Sequence, residues 1–116
     1  HLDGRCALIY LTRDEIEQSR VDPADLEELT SLPISIEGVK VGLTLRQQPG
    51  GSYRISVRTA RGVDACAIAR RLGGGGHTRA AGCELLGNLD NTKSAILAEV
   101  EAELNAQAAP GGQEEA

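Results

Sequence analysis

Two segments with alternating hydrophobicity constrain the fold of this 116-residue chain more than any other feature. Within residues 39–47 and again within residues 53–58 apolar residues recur at every second position, the set being Val39, Val41, Leu43, Leu45, Tyr53, Ile55 and Val57. Because successive side chains of a strand point to opposite faces, each segment is predicted to be a strand with one covered face. The turn sequence Pro49-Gly50-Gly51 joins them, so we expect a hairpin whose other face carries Arg54 and Arg58.

Segments before the hairpin predict a strand and two helices. The apolar run 6–11 has strand length and is continuous, which indicates burial on both faces. Thr12 and Glu15 have the spacing of a capping box, which predicts a short helix. Asp22-Pro23 predicts a second helix start, with an inward side formed by Leu26, Leu29 and Leu32 and an end at Pro33.

After the hairpin, residues 64–72 read as a helix with the inward stripe Ala65, Ile68, Ala69 and Leu72. Residues 83–86 are predicted to form a short strand. A last helix opens at Asn88 or Asp90, with the stripe Ile96, Leu97, Val100 and Leu104. This order predicts one α/β domain over residues 1–106 and a disordered tail over residues 107–116. The first residue is His1, so we expect a piece of a longer protein.

Four consecutive glycines, Gly73 to Gly76, precede His77 and Arg79. Bare backbone amides can converge on an anion, and a neighbouring histidine or arginine adds directed hydrogen bonds. We therefore predict an anion-binding loop. A glycine helix cap is the alternative for the same residues, but a cap needs only one glycine.

Charge is unevenly distributed along the chain. The net charge is −5, yet residues 40–79 hold a single acidic residue, Asp64, against eight basic ones: Lys40, Arg46, Arg54, Arg58, Arg61, Arg70, Arg71 and Arg79. A basic segment in an acidic chain attracts anions locally. Tyr10 and Tyr53 are the only aromatic residues, so we expect phosphate and sugar contacts to dominate over base stacking if a nucleotide binds.

Three widely spaced cysteines, Cys6, Cys66 and Cys83, predict buried reduced thiols and a cytoplasmic protein. A zinc site built from Cys66, His77 and Cys83 fits no common ligand spacing, so we expect no metal in this chain. No apolar run reaches the ~20 residues of a membrane span, so we expect no membrane partner.

Three segments together resemble the DHHA1 domain of DHH-family phosphoesterases. They are the strand Tyr53-Arg-Ile-Ser-Val-Arg-Thr, the helix that follows Gly62-Val-Asp, and the signature Gly73-Gly-Gly-Gly-His-Thr-Arg-Ala-Ala-Gly82. Residues 32–41 resemble the branch with oligoribonuclease/PAP phosphatases and cyclic-dinucleotide phosphodiesterases. The resemblance covers most of residues 5–104 and implies a mixed sheet flanked by helices.

The resemblance also implies roles for individual residues. Arg58 and His77 would bind the substrate phosphate. Gly74, Gly75 and Gly76 would give close backbone approach, and residues 80–82 would pack tightly enough to fix the loop. Arg79 falls at a variable position of the motif, and we include it as a candidate contact. No residue of this chain is expected to be catalytic.

In this family a separate N-terminal DHH domain holds two manganese ions, and two histidines in this chain are too few to replace it. The chain is therefore expected to bind and not to cleave a short RNA, a PAP-like nucleotide or a cyclic dinucleotide, with the DHH domain as partner and a homodimer possible. Two alternatives remain: a regulatory module that senses a nucleotide without catalysis, and a tRNA-related module like that of alanyl-tRNA synthetases, whose glycine loop has a different sequence.

Overall fold

The computed structural model describes residues 4–19 and 28–108. Its elements, in chain order, are β1 Cys6–Leu11, α1 Arg13–Ser19, α2 Leu32–Ser35, β2 Val41–Gln47, β3 Tyr53–Thr59, α3 Ala65–Arg70, β4 Gly75–Gly76, β5 Ala80–Leu85 and α4 Leu89–Ala108. The five strands form one sheet in the order β1-β2-β3-β5-β4. β1 pairs with β2 in parallel and the other pairs are antiparallel. The predicted α/β class with a mixed sheet is confirmed.

One face of the sheet carries the core, and α3 and α4 pack against it. The buried side chains from the sheet and the two helices form one cluster that includes Leu43, Leu45, Ile55, Val57, Ile68, Ile96 and Val100. Each of these seven is fully shielded from solvent. The stripes predicted for the hairpin and for both helices therefore face a common interior.

The opposite face of the sheet is partly covered, which the sequence analysis did not predict. A Cβ built on Gly42 of β2 would lie 2.6 Å from the backbone nitrogen of Ile34 and 3.0 Å from Cβ of Pro33. The short helix α2 therefore packs directly on the backbone of β2. As a result residues 41–45 are buried without interruption, and the expected single covered face of β2 is wrong.

Three further expectations about the first third of the chain are wrong. β1 was expected to be buried on both faces, but it is an edge strand of this sheet and its Tyr10 is 44% exposed. Pro33 was expected to end a helix, but it lies in the first turn of α2, where its missing N–H costs nothing. Leu32 was expected to face inward and is 53% exposed. The proposed start at Asp22 lies outside the described residues.

Side chains mark the starts of three helices. Thr12 and Glu15 form the predicted capping box before α1, with their two side chains accepting reciprocal backbone hydrogen bonds of 2.8 and 3.2 Å. The Asp64 carboxylate accepts from the amides of Cys66 and Ala67 before α3. The Asn88 side chain accepts from the Asn91 amide at the start of α4. α4 continues to Ala108, and residues 109–116 of the predicted tail lie outside the described residues.

Candidate anion-binding site

Arg58 and His77 lie in one row across the sheet, with Ala80 between them. Arg58 of β3 is paired with Ala80 of β5. The backbones of His77 and Ala80 exchange two hydrogen bonds, of 2.8 and 3.3 Å. Residues directly opposite each other in antiparallel strands share a face, so all three side chains lie on the face opposite the core. With neighbouring strands about 4.8 Å apart, the Arg58 and His77 backbones are about 10 Å apart.

The row of the sheet next to Arg58, Ala80 and His77 contains two glycines and is the floor of the candidate site. In this row Ser56 is paired with Gly82, and Gly82 is paired with Gly75. A Cβ built on Gly75 would meet no atom within 4 Å, so space is open above it. An anion placed above Gly75 can approach the main chain closely, because this glycine has no side chain to cover it.

Thr30 orients the guanidinium of Arg58. Arg58 is half-buried, and its Nη2 donates a 3.0 Å hydrogen bond to Oγ1 of Thr30. Thr30 is only 3% exposed and precedes α2 in the chain. Thr30 was not predicted as a site residue, because no local sequence pattern marks a threonine that meets a side chain 28 positions away.

The first two glycines of the run complete the end of α3. Gly73 has φ +87°, and its amide donates to the Arg70 carbonyl at 3.1 Å, while the Gly74 amide donates to the Ala69 carbonyl at 2.9 Å. This is the hydrogen-bond pattern of a Schellman cap. The cap alternative is therefore correct for Gly73, and both amides are used within the fold.

Gly74 and Gly76 are required by the close approach of β5. A Cβ on Gly74 would collide with the Gly82 carbonyl oxygen and lie 2.6 Å from Cβ of Cys83. A Cβ on Gly76 would lie 2.5 Å from Cα of Ala81. The structure therefore gives these two predicted contacts a packing role, in agreement with the expected tight packing of residues 80–82. Of the three predicted glycine contacts, Gly75 has the open space that a ligand needs.

Arg79 holds the turn between β4 and β5 in place. Its Nη1 donates to the Val63 carbonyl at 2.7 Å and to Oγ1 of Thr59 at 3.1 Å. The Thr78 carbonyl accepts from the Thr59 hydroxyl at 2.8 Å and from the Ala65 amide at 2.9 Å. Arg79 was predicted to contact the ligand. In the structure its Nη1 holds the turn against β3 and the start of α3.

The His77 ring is exposed, and within residues 4–19 and 28–108 it makes no side-chain hydrogen bond or ion pair. Its backbone is fixed by the two bonds to Ala80. An imidazole on an anchored backbone can donate to an anion without first breaking another contact.

Burial keeps the thiol of Cys83, below the glycine run, protonated. Desolvation raises the pKa of Cys83, and the positive charge of Arg54 lowers it in part. Across the described parts of the chain, no three His, Cys, Asp or Glu side chains lie close enough together to hold a metal ion. The described helices also include none with the length and apolar character needed to cross a membrane.

Comparison of the sequence with known families gives one match that spans most of the chain. The model of the DHHA1 domain family matches residues 4–106. The bifunctional oligoribonuclease and PAP phosphatase NrnA of Thermus thermophilus is 40% identical over 105 residues, which are 90% of this chain and 31% of that protein. The chain therefore spans about a third of the length of this curated relative.

Solved structures share the fold. An exopolyphosphatase-related protein from Bacteroides fragilis matches 93% of this chain and 31% of its own, with a TM-score of 0.81 and 26% identity. The C-Ala domain of Aquifex aeolicus alanyl-tRNA synthetase matches 81% of this chain and 86% of its own, with a TM-score of 0.56 and 15% identity. The pGpG-specific phosphodiesterase PggH of Vibrio cholerae matches 86% of this chain and 34% of its own, with a TM-score of 0.57 and 14% identity. The last two are similar in fold alone.

Proposed function

Because this chain belongs to the DHHA1 domain family, we propose that it is the substrate-binding part of a DHH-family phosphoesterase that hydrolyses short RNA or phosphorylated nucleotides. The 40% identity to a bifunctional oligoribonuclease and PAP phosphatase supports this substrate class. The protein's activity belongs to the whole phosphoesterase, of which this chain supplies the binding surface.

The row of Arg58, Ala80 and His77 is the observation that carries the proposal. It presents two nitrogen donors on one face of the sheet, with a small side chain between them. A guanidinium forms paired hydrogen bonds with two phosphate oxygens, and an imidazole can donate to a third. The terminal phosphate of the substrate sits between these two side chains, above Ala80 and next to the open space over Gly75.

Phosphate binding by this chain would fix where the scissile bond lies relative to the rest of the enzyme. A substrate held by Arg58 and His77 keeps its phosphate in one position, so positioning and not bond cleavage is the contribution of these residues. The expected manganese ions, which would activate water for hydrolysis, would be held by a DHH domain. The described residues of this chain do not fit a metal cluster, so no step of the reaction is assigned to a metal held here.

Titration of the 116-residue chain with a 5′-phosphorylated diribonucleotide, followed by NMR without metal, tests the proposal. We expect chemical-shift changes centred on residue 58 and residues 73–82, and their loss in Arg58→Ala and His77→Ala. Arg70→Ala serves as the control, because this exposed arginine lies on α3, which packs on the opposite face of the sheet. Equal binding by wild type and both site variants would contradict the proposal, as would the absence of binding at millimolar ligand.

A further inference from the structure

Arg54 lies over the floor of the candidate site, although the sequence pattern indicates only a solvated residue on a strand. Its Nη2 is 3.4 Å, and its Cζ 3.7 Å, from the position that a Cβ on Gly82 would occupy. That Cβ position is on the same face as Arg58 and His77, because Gly82 is two residues along β5 from Ala80. Glycine at position 82 therefore makes room for the Arg54 guanidinium on the face of the sheet that carries Arg58.

The neighbouring acid does not neutralise this guanidinium by direct contact. Glu84 is paired with Arg54 across β3 and β5, which usually places two side chains within reach of each other. Instead, Oε2 of Glu84 accepts a 2.6 Å hydrogen bond from the Ser52 hydroxyl. Within the described residues Arg54 forms no ion pair and is exposed, so its charge is available above Gly82.

The row of the sheet over which Arg54 lies is separated from the row of Arg58 and His77 by about the distance between two phosphates of one ligand. One row of the sheet separates Gly82 from Ala80, and two residues along a strand span about 7 Å. Consecutive phosphates of a nucleotide chain, or the two phosphates of a nucleoside 3′,5′-bisphosphate, are separated by a similar distance. A mononucleotide has only one such group and can fill only one of the two positions.

We infer that Arg54 binds the second phosphate of the ligand and so makes this site prefer ligands with two phosphates over mononucleotides. The inference rests on the proposed function, because the first phosphate is the one held by Arg58 and His77. It extends that function by giving the domain a way to distinguish a two-phosphate substrate from a one-phosphate product.

Calorimetric titration of the 116-residue chain with adenosine 3′,5′-bisphosphate and with adenosine 5′-monophosphate tests the inference. In Arg54→Gln we expect the affinity for the bisphosphate to fall about tenfold, with less than about twofold change for the monophosphate, since one charged hydrogen bond is lost. The salt dependence of bisphosphate binding should also become shallower by about one released counterion. Arg70→Gln, which removes an arginine from the other side of the sheet, should change neither affinity.

The outcomes separate the inference from the function on which it rests. Equal loss of affinity for both ligands in Arg54→Gln, or no loss for either, would overturn the role of Arg54. Arg58→Ala tests the underlying function, since it should weaken both ligands equally. If Arg58→Ala changes neither affinity, the proposed phosphate site itself is wrong.

Discussion

Nη2 of Arg58 donates a 3.0 Å hydrogen bond to Oγ1 of Thr30, a side chain that is 3% exposed. The acceptor is fixed by its burial, so it restricts the orientation of the long Arg58 side chain. Thr30 touches no ligand in the proposed complex. It is a positioning residue whose effect on binding passes through Arg58.

Thr30→Val is therefore expected to weaken phosphate binding while the domain stays folded. The substitution keeps the shape of the side chain and removes the acceptor, so the affinity for a 5′-phosphorylated diribonucleotide should fall about threefold to tenfold. The double variant Thr30→Val/Arg58→Ala should bind no more weakly than Arg58→Ala alone. Additive losses in this double-mutant cycle would show that Thr30 does not act through Arg58.

Thr44→Val makes the same substitution as Thr30→Val at a buried threonine on the same face of the sheet. Thr44 is also almost fully buried, but among the described residues its Oγ1 has no hydrogen-bond partner. Replacing an unsatisfied buried hydroxyl with a methyl group should raise the free energy of unfolding by about 1 kcal/mol. Urea denaturation measures this change, and a clear loss of stability would indicate an acceptor for Thr44 that the structure does not show.

Gly74→Ala should reduce stability, whereas Gly75→Ala should reduce phosphate binding. A methyl group at 74 would collide with the Gly82 carbonyl, so we expect a loss of about 3 kcal/mol in stability. A methyl group at 75 meets nothing within 4 Å, so stability should change by less than about 1 kcal/mol while phosphate binding weakens. Thermal denaturation and ligand titration of the two variants check both expectations. Unchanged phosphate affinity in Gly75→Ala would remove Gly75 from the site.

Cys6 makes stability depend on pH in the alkaline range. Burial raises the pKa of Cys6 from 9.0 to about 11. The unfolded thiol ionises above about pH 9 while the folded thiol stays protonated, so this contribution is complete below that pH and is lost as the pH rises toward 11. At about pH 10 the loss should be about 1 kcal/mol. Urea denaturation of wild type and Cys6→Ala across this range should give a steeper decline for wild type, and parallel declines would contradict the shift.

Local periodicity predicted which side chains of β2, β3 and α4 face the core. The alternation in β2 and β3 and the stripe Ile96, Val100 and Leu104 in α4 all face the core, as expected. β1 was misjudged because a continuous run of six apolar residues reads the same in a central strand and in an edge strand. Strand order decides between the two, and it depends on pairings far apart in the sequence.

The candidate site was predictable only where one segment carries its own signal. The glycine run before His77 indicated a loop, but the division of tasks within it follows from the contact with β5, which no glycine count can supply. The position of Arg54 over Gly82 and the contact of Thr30 with Arg58 were not predicted, for the same reason. Arg54 depends on an opposing glycine at 82 and Thr30 on a partner in another strand, and neither relationship leaves a local pattern.

The Thr78 carbonyl, which accepts from the Thr59 hydroxyl and from the Ala65 amide, joins the β4–β5 turn to β3 and to the start of α3 at one atom. Separation of the β4–β5 turn from the sheet must break both bonds, and one of them belongs to the first residue of α3. Local opening of the site and fraying of the first turn of α3 are thus one cooperative event. In native-state hydrogen exchange the Ala65 amide will report on the opening of a site to which it contributes no side chain.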